Sequence, residues 1–376
     1  MDTEILQRAR ASFLGLALGD ALGATTEFMT PTEIKAQYRV HNKIRGGGWL
    51  GVKPGQVTDD TEMSLAIAQA IDTADGWTLQ GIAENFLAWM RGKPIDMGST
   101  VRKGIVNFRR TGSLEMPTNE WDAGNGALMR MTPVAIFTLG DEQLFKRCTL
   151  EQAHLTHNHP LSDVACLCVG AMVQAALQGA DRFTLHAMAR ELVAGYPNFQ
   201  FTNYQGLASG YVVDTVQTVF HYFFTTASFE ECLTGIVNQG GDADTTGAIA
   251  GMLAGAFYGF KSLPLHWLRK LDRKINNQIE SLVPRLLDLS PSNQGKERNH
   301  TMEAGKIDLD EAAIRLESTP LNVLMHIKRK LLRGEEIDGR WFVEVTSLEN
   351  FLTERGNSPK ENVCQSSCSH KCPSCG

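Results

Sequence analysis

The stretch DADTTGAIAGMLAGAFYG, residues 242–259, places two aspartates directly before a long apolar run. Apolar side chains recur in this run at the spacing of one helix face, at Ile249, Met252, Leu253, Ala256 and Phe257. The run is also rich in glycine and alanine, so another helix can approach it closely. We therefore predict a helix at the centre of the fold, with an acidic loop at its start.

A second acidic motif precedes a second apolar helix. Thr58-Asp59-Asp60-Thr61 is followed, at the same helical spacing, by Met63, Ala66, Ile67, Ala70 and Ile71. Residues 212–223 contain the valines and phenylalanines that favour strands, but their spacing is again helical. The sequence therefore predicts an all-α core.

Together, the two acidic motifs are typical of a two-metal site. Hard divalent cations such as Mg²⁺ or Mn²⁺ prefer oxygen ligands, and four carboxylates with two neighbouring threonine hydroxyls can neutralise two such ions. The candidate ligands are Thr58, Asp59, Asp60, Asp242, Asp244 and Thr245. The alternative is that both motifs are helix caps, because aspartate and threonine are common at helix starts for that reason alone.

The chain also contains three turns rich in glycine: one before each acidic motif and one between them. They are Gly46-Gly47-Gly48, Gly124-Asn125-Gly126-Ala127 and Gly240-Gly241. Such turns let backbone amides approach an anion. None matches a phosphate-binding loop or a dinucleotide fingerprint between a strand and a helix, so the turns alone indicate only that backbone comes close to something.

Composition favours a soluble enzyme. The chain has 376 residues, of which 43% are hydrophobic and 21% charged, and its formal net charge of −6 argues against a general polyanion binder. The apolar run at residues 13–18 is short and bracketed by acidic residues, unlike a signal peptide, so we predict a cytoplasmic protein. Runs of about 18 uninterrupted apolar residues are missing from the sequence, so no membrane partner is expected.

Composition changes after about residue 290. Residues 291–304 contain turn formers and charges and are predicted to be a linker. The pattern of residues 305–356 predicts a helix over 307–316 and a second helix over 321–332. A hairpin at Asp338-Gly339 and a final helix follow.

This second segment resembles the helix-turn-helix and wing modules of excisionase-type DNA-binding proteins. Lys328-Arg329-Lys330 and Arg333 suit phosphate contacts, yet the segment from Lys296 onward contains about as many acids as bases. DNA binding, protein docking and a purely structural role all stay open for it.

The eight cysteines fall into two groups. Cys148, Cys166, Cys168 and Cys232 lie in apolar helical surroundings and are predicted to be reduced core residues. The tail, residues 357–376, contains Cys364, Cys368, Cys372 and Cys375. In a reducing compartment this cluster favours Zn²⁺ over disulfides, although only the last pair has a common zinc-knuckle spacing. The alternative is a disordered, redox-exposed tail.

Several motifs resemble, in their order along the chain, those of the ADP-ribosylglycohydrolase family. They are residues 15–23 with Glu27, Thr58-Asp59-Asp60-Thr61, Gly124-Asn125-Gly126, Thr156-His157, residues 210–215 and residues 241–245. The resemblance covers about residues 5–285. It implies a compact, orthogonal all-α catalytic domain over residues 1–290 that carries a dinuclear Mg²⁺ or Mn²⁺ site made by the six candidate ligands.

The resemblance also implies roles for individual residues. Asp96 matches an acidic residue that acts on the scissile ribose and its water, and Glu27 matches a glutamate beside the metals; which of the carboxylates is the base stays open. Gly124, Asn125 and Gly126 match a turn that contacts the diphosphate, whereas His157 and Tyr211 match residues on the adenosine side. This chain has a second histidine, His159, so the sequence does not decide which ring faces the ligand.

The activity implied is metal-dependent removal of ADP-ribose from a modified protein, at the bond to arginine. Cleaving that bond passes through an oxocarbenium-like state, which requires an activated water and a fixed ribose. A pair of catalytic carboxylates without metal is an alternative mechanism. The alternative functions are a catalytically weak ADP-ribose-binding module, and a hydrolase of serine-linked, O-acetyl- or nucleic-acid-linked ADP-ribose.

Overall fold

The computed structural model describes residues 2–206, 208–293, 305–316, 318–337 and 340–356. The chain divides into two compact units, Met1–Asn293 and Gln294–Gly376. At the end of the first unit, the amide of Ser292 donates to the carbonyl oxygen of Leu139 at 2.8 Å. The chain therefore stays attached to the helical unit through residue 292. The predicted boundaries of the catalytic domain, linker, second segment and tail stay predictions.

The first unit is built of α-helices. In chain order they are α1 (Thr3–Gly23), α2 (Pro31–Tyr38), α3 (Asp59–Thr73), α4 (Leu79–Arg91), α5 (Ser99–Thr111), α6 (Thr132–Phe137), α7 (Glu142–His154), α8 (Pro160–Leu177), α9 (Arg182–Gly195), α10 (Val212–Thr225), α11 (Phe229–Val237), α12 (Ala243–Tyr258), α13 (Leu265–Leu268) and α14 (Arg273–Asp288). The two acidic motifs start α3 and α12, and the valine-rich segment is α10, so the prediction of an all-α core is confirmed.

Helices α1 and α12 form the centre of this unit and touch through their backbones. A Cβ atom added to Gly19 would lie 1.9 Å from the carbonyl oxygen of Gly247, and one added to Gly251 would lie 2.0 Å from that of Gly15. Real Cβ atoms never approach an oxygen so closely, because the van der Waals radii overlap. The contact therefore requires glycine on both helices, as the composition of residues 242–259 predicted.

The two central helices run antiparallel. Gly15 faces Gly251 near their middles, and a Cβ added to Gly23, the last residue of α1, would lie 2.1 Å from the carbonyl oxygen of Ala243, the first residue of α12. Helices α3 and α14 pack against α1, whereas α8, α10 and α11 pack against α12. The end of α1, the start of α12 and the loop before α3 therefore meet at one end of the core.

The outer helices begin at side-chain caps that the sequence makes recognisable. Thr30 and Glu33 form a reciprocal capping box at the start of α2. Asp141 and Asp181 cap α7 and α9 by accepting backbone amides. These caps satisfy amides that have no partner within the helix, and they fix where each outer helix starts.

Helix α8 is long and apolar enough to cross a membrane by length and composition, as judged over the described part of the chain. Within the first unit, 50% of it is buried, and it packs against α6, α7, α9, α10 and α12. A helix in the core of a folded domain can be equally long and apolar, so the packing of α8 accounts for its apolar composition.

The second unit combines a small sheet with three described helices. Strands β1 (Lys306–Asp308), β2 (Gly334–Ile337) and β3 (Arg340–Glu344) lie in the order β1-β3-β2, with both pairings antiparallel. The helices are α15 (Leu309–Arg315), α16 (Pro320–Lys328) and α17 (Val345–Gly356). A separate apolar cluster is formed by Ile307, Ala312, Ala313, Leu316, Val323, Ile327, Leu332, Val343 and Leu348.

Two predicted elements of this unit are wrong at their ends. Ile307 belongs to β1 opposite Val343, and Asp308 caps α15 by accepting the amide of Glu311, so the helix begins later than predicted. Helix α16 ends at Lys328 rather than at residue 332, and Lys330 takes a positive φ of 63°. The resemblance to a winged helix-turn-helix stays a prediction, and the turn at 338–339 and the cysteine tail lie outside the described residues.

The contact between α1 and α12 predicts a large effect of one methyl group. Gly19→Ala should lower the free energy of unfolding by about 3 kcal/mol or more, the upper end for inserting a methyl group into a packed core. Gly195→Ala is the matched control, because a Cβ on this last residue of α9 meets nothing within 4 Å and should be neutral or slightly stabilising. Urea unfolding followed by circular dichroism measures both. A Gly19→Ala loss below about 0.5 kcal/mol, the range of surface substitutions, contradicts the direct backbone contact.

Candidate active site

A buried aspartate in α1 holds the start of α3. Asp20 accepts hydrogen bonds from the amides and hydroxyls of Thr58 and Thr61, at distances of 2.5 to 3.2 Å. These four bonds lock the loop that presents the first acidic motif onto the central helix. Our sequence analysis missed this role, although a lone aspartate between Gly19 and Gly23 in an apolar helix was a usable signal.

The two acidic motifs meet where Asp60 of the first approaches Thr245 of the second. The Oδ2 atom of Asp60 lies 3.0 Å from the hydroxyl of Thr58 and 3.5 Å from the hydroxyl of Thr245. Asp60 is fully buried, and its other oxygen, Oδ1, has no hydrogen-bond partner. A buried carboxylate oxygen without a partner is costly, so this atom is well suited to bind a cation.

Glu27 joins the second motif in a compact set of ligand atoms. One carboxylate oxygen from each of Glu27, Asp242 and Asp244 lies within 4.8 Å of the others. The Oε2 atom of Glu27 is also buried without a hydrogen-bond partner. Glu27 was predicted as a catalytic residue beside the metals; the structure brings it into the group that can itself hold an ion.

The pKa values show how unfavourable this arrangement is without a cation. Burial, followed by the charge of Asp96, raises the pKa of Glu27 to about 8 and that of Asp59 to about 7. Burial and the neighbouring carboxylates raise the pKa values of Asp60 and Asp244 well above their usual range. Like charges this close favour the protonated form unless a positive ion compensates them. The all-oxygen donor set fits a hard divalent cation.

Asp96 lies on a loop fastened to the first motif. The amide of Gly98 donates to the Oδ2 atom of Asp59 at 3.2 Å, which draws the loop before α5 toward the carboxylates. The charge of Asp96, which is half-buried, raises the pKa values of Glu27, Asp59 and Asp242. Asp96 therefore lies near the same group while keeping access to solvent.

The Asn125 side chain is bonded to a carboxylate of the second acidic motif. Its Nδ2 atom donates to the Oδ2 atom of Asp242 and to the hydroxyl of Thr215, the latter at 2.9 Å. The turn is also paired with the start of α10, where Gly124 lies opposite Tyr211. Tyr211 is 40% exposed. The turn and Tyr211 therefore lie together, and the turn is bonded to the second acidic motif.

His157 lies beneath this turn. A Cβ added to Gly124 or Gly126 would lie 3.0 or 2.7 Å from its ring, so both glycines are needed for the ring to pack there. The second histidine of the motif, His159, instead accepts the amide of Leu161 and caps α8. Of the two rings, His157 is the one next to the predicted ligand-binding turn.

A buried arginine sets the orientation of the His157 ring. Arg130 donates to the hydroxyl of Thr156 at 2.8 Å, so that hydroxyl donates its own hydrogen to the Nδ1 atom of His157, 2.7 Å away. The imidazole hydrogen is then on Nε2, which points toward the glycine turn. Burial and the charge of Arg130 lower the pKa of His157 to about 3, which keeps the ring neutral.

The raised pKa values predict how stability depends on pH and metal. Between pH 5 and pH 8 the metal-free folded chain binds more protons than the unfolded chain, because the pKa values of Asp20, Asp59 and Glu27 are raised to about 6, 7 and 8. These groups therefore make the free energy of unfolding fall as pH rises through this range. Bound Mn²⁺ relieves the repulsion, so it should raise the melting temperature more at pH 8 than at pH 5.

Differential scanning calorimetry with and without MnCl₂ at both pH values measures this difference. Asp244→Asn is the control, because it removes one charge from the group and should reduce both the pH dependence and the shift with metal. A larger metal shift at pH 5 than at pH 8 would contradict this account of the carboxylates.

Comparison with known proteins agrees with this geometry. The family model described as ADP-ribosylglycohydrolase matches residues 1–296. The chain is 50% identical over 283 residues to the ADP-ribosyl-[dinitrogen reductase] glycohydrolase of Rhodospirillum rubrum, covering 75% of this chain and 96% of that protein. It is 29% identical over 305 residues to the ADP-ribosylarginine hydrolase Tri1 of Serratia proteamaculans (strain 568), covering 77% of this chain and 81% of that protein.

A solved structure agrees as well. A chain described as an ADP-ribosylglycohydrolase-related protein complex superposes with a TM-score of 0.67 and 30% identity, covering 77% of this chain and 99% of its own length. The residues that the family model matches include the whole helical unit, with both acidic motifs, the glycine turn and His157. This protein is a member of the ADP-ribosylglycohydrolase family.

Proposed function

We propose that this protein hydrolyses the N-glycosidic bond between ADP-ribose and an arginine side chain of a modified protein, at a dinuclear Mg²⁺ or Mn²⁺ site. The observation that carries the proposal is the convergence of carboxylates from the start of α3, from the start of α12 and from Glu27 in the turn after α1. Two of their buried oxygen atoms, Oδ1 of Asp60 and Oε2 of Glu27, have no hydrogen-bond partner. The two relatives named for ADP-ribose removal from dinitrogen reductase and from arginine support the choice of linkage.

The residues that would hold the ions come from both acidic motifs. They are Thr58, Asp59, Asp60, Asp242, Asp244 and Thr245, with Glu27 as a further ligand. When bound, divalent ions supply Lewis acidity that polarises a water molecule and the ribose hydroxyls. Asp20 contributes indirectly, because it fixes the backbone that carries Asp59 and Asp60.

The chain's own residues complete the reaction. Asp96 accepts a proton from water as the water oxygen bonds to ribose C1. The bond from C1 to the guanidine nitrogen breaks, and its electron pair leaves with that nitrogen, which takes up the proton that Asp96 accepted and so returns Asp96 to the carboxylate form. Positive charge develops on the sugar during this step, and the surrounding carboxylates stabilise it electrostatically. Glu27, whose carboxylate lies within 4.8 Å of those of Asp242 and Asp244, would add a further oxygen ligand to the ions.

We assign recognition of the diphosphate and the adenosine to the glycine turn at Asn125 and to Tyr211. The side chain of Asn125 is engaged by Asp242, so the turn would meet the diphosphate through its backbone. Tyr211, which is partly exposed, offers an aromatic face to the adenosine, and the neutral His157 ring supports the turn from below.

Release of free ADP-ribose from substrates of different linkage tests the proposal. The assay compares arginine-linked, serine-linked, O-acetyl- and nucleic-acid-linked ADP-ribose with Mg²⁺ or Mn²⁺ present. We expect arginine-linked substrate to be hydrolysed fastest, and activity to be lost in EDTA. Full activity after metal removal, or preference for another linkage, would contradict the proposal.

Two variants separate metal binding from proton transfer. Asp96→Asn should lower turnover by about 10²–10⁴-fold, the usual contribution of a general base, while Mn²⁺ and ADP-ribose still bind. Asp60→Ala should lose metal affinity together with at least about 10²-fold of activity, because it removes a ligand. Turnover and isothermal titration of Mn²⁺ and ADP-ribose distinguish these outcomes. Parallel loss of ADP-ribose binding and turnover in Asp96→Asn would make this carboxylate a binding residue.

For the second unit we propose a targeting role, with DNA or a protein as its partner, and for the cysteine tail we propose a Zn²⁺ site. All candidate catalytic residues lie in the first unit, and the second has its own apolar cluster. In the described sheet and helices, Lys328 lies 4.0 Å above the Trp341 ring and Lys306 pairs with Glu335, so part of its positive charge is already engaged.

Truncation tests this division of labour. A chain ending at Asn293 should stay folded and hydrolyse ADP-ribosylarginine at a rate close to that of the full chain, because it keeps every candidate site residue. Calorimetry and the release assay measure both properties. An insoluble or inactive fragment would show that the second unit is required by the catalytic unit. A salt-dependent mobility shift of DNA with residues 294–376 would identify DNA rather than protein as the partner.

A further inference from the structure

Two large aromatic side chains are exposed next to the acidic site. Phe28 is 66% exposed and Trp49 is 75% exposed, and their rings meet edge to face with centroids 6.3 Å apart. Exposed tryptophan and phenylalanine together are unfavourable in water, and such pairs are typical of surfaces that bind a partner. The mechanism described above assigns no role to either ring.

The position of Phe28 is fixed by the site itself. It follows Glu27 directly, and its amide donates to the carbonyl oxygen of Gly241 at 2.6 Å, one residue before Asp242. Its backbone takes a φ of 60°, a conformation that residues with a side chain rarely adopt. The bond to Gly241 thus holds the ring at the rim of the carboxylate group despite local strain.

Trp49 is held by the glycine turn that precedes it. Gly46, Gly47 and Gly48 all have positive φ, and Gly47 pairs with Val52 through hydrogen bonds of 2.7 and 3.0 Å. A Cβ added to Gly48 would lie 2.3 Å from the carbonyl oxygen of Ala24. The turn is therefore packed directly on the segment that leads from α1 to Glu27, and it presents a preorganised tryptophan rather than a loose one.

We propose that Phe28 and Trp49 form a docking surface for the polypeptide that carries the ADP-ribosyl group. This inference rests on the proposed function, because the occupant is defined by that reaction. Phe28 follows Glu27 and is bonded to Gly241, so a polypeptide whose ADP-ribosyl group is bound at the carboxylates would lie over this rim. Aromatic residues of this kind are enriched among those that dominate protein interfaces.

The proposal predicts a split between large and small substrates. Trp49→Ala in the full chain should lower kcat/KM by about tenfold on dinitrogen reductase carrying ADP-ribose on arginine, mainly through KM, as expected for loss of an interface aromatic. Hydrolysis of ADP-ribosylarginine should stay within about twofold of wild type, since the small substrate carries no polypeptide to dock. Trp49→Phe, which keeps an aromatic face, should recover most of the loss.

Phe183→Ala is the matched control, because Phe183 is 83% exposed on α9 and should affect neither substrate. Equal activity of Trp49→Ala and wild type on the protein substrate overturns the docking surface. An equal loss on both substrates also overturns it, because the ring would then support the catalytic site. If wild type hydrolyses ADP-ribosylarginine without favouring the protein, docking is again contradicted. If wild type hydrolyses neither, the proposed function itself fails.

Discussion

The glycine contact between α1 and α12 is the constraint on which the rest of the structure depends. Gly19 and Gly251 carry no Cβ, so the backbones of the two antiparallel helices can pack in direct contact. This packing brings the end of α1, with Asp20, and the turn after it, with Glu27, to the start of α12, with its acidic motif. Carboxylates that are more than two hundred residues apart in sequence become neighbours. Fold and site are therefore consequences of the same contact.

The carboxylates of the site lower the free energy of unfolding of the core that surrounds them. Burial and mutual repulsion raise the pKa values of Glu27, Asp59, Asp60 and Asp244. Such a group is tolerated because the surrounding helices over-determine its position, through the four hydrogen bonds to Asp20 and the bond from Asn125 to Asp242. The divalent cation that we propose would turn this unfavourable group into a binding site, and it would give a partner to Oε2 of Glu27 and Oδ1 of Asp60, which have no hydrogen-bond partner.

Much of the fold could be predicted from sequence because helical periodicity is local and strong in α3, α10 and α12. The acidic motifs were visible for the same reason, since each directly precedes such a helix. Contacts between distant residues were not visible: Asp20 with Thr58, Asn125 with Asp242, and the chain from Arg130 through Thr156 to His157 all depend on tertiary packing. Ile307 was misassigned because a three-residue strand leaves almost no periodic signal, and only its pairing with Val343 defines it.

The number of Mn²⁺ ions bound per chain, followed on the same sample as the rate of ADP-ribosylarginine hydrolysis, tests the central claim most directly. Electron paramagnetic resonance of free Mn²⁺ gives the bound number while the metal-stripped protein is titrated. The account predicts negligible turnover without metal and full turnover only when two ions are bound. Full turnover in the metal-stripped protein, or a rate independent of the bound number, would contradict the claim that the buried carboxylates act by holding metal ions.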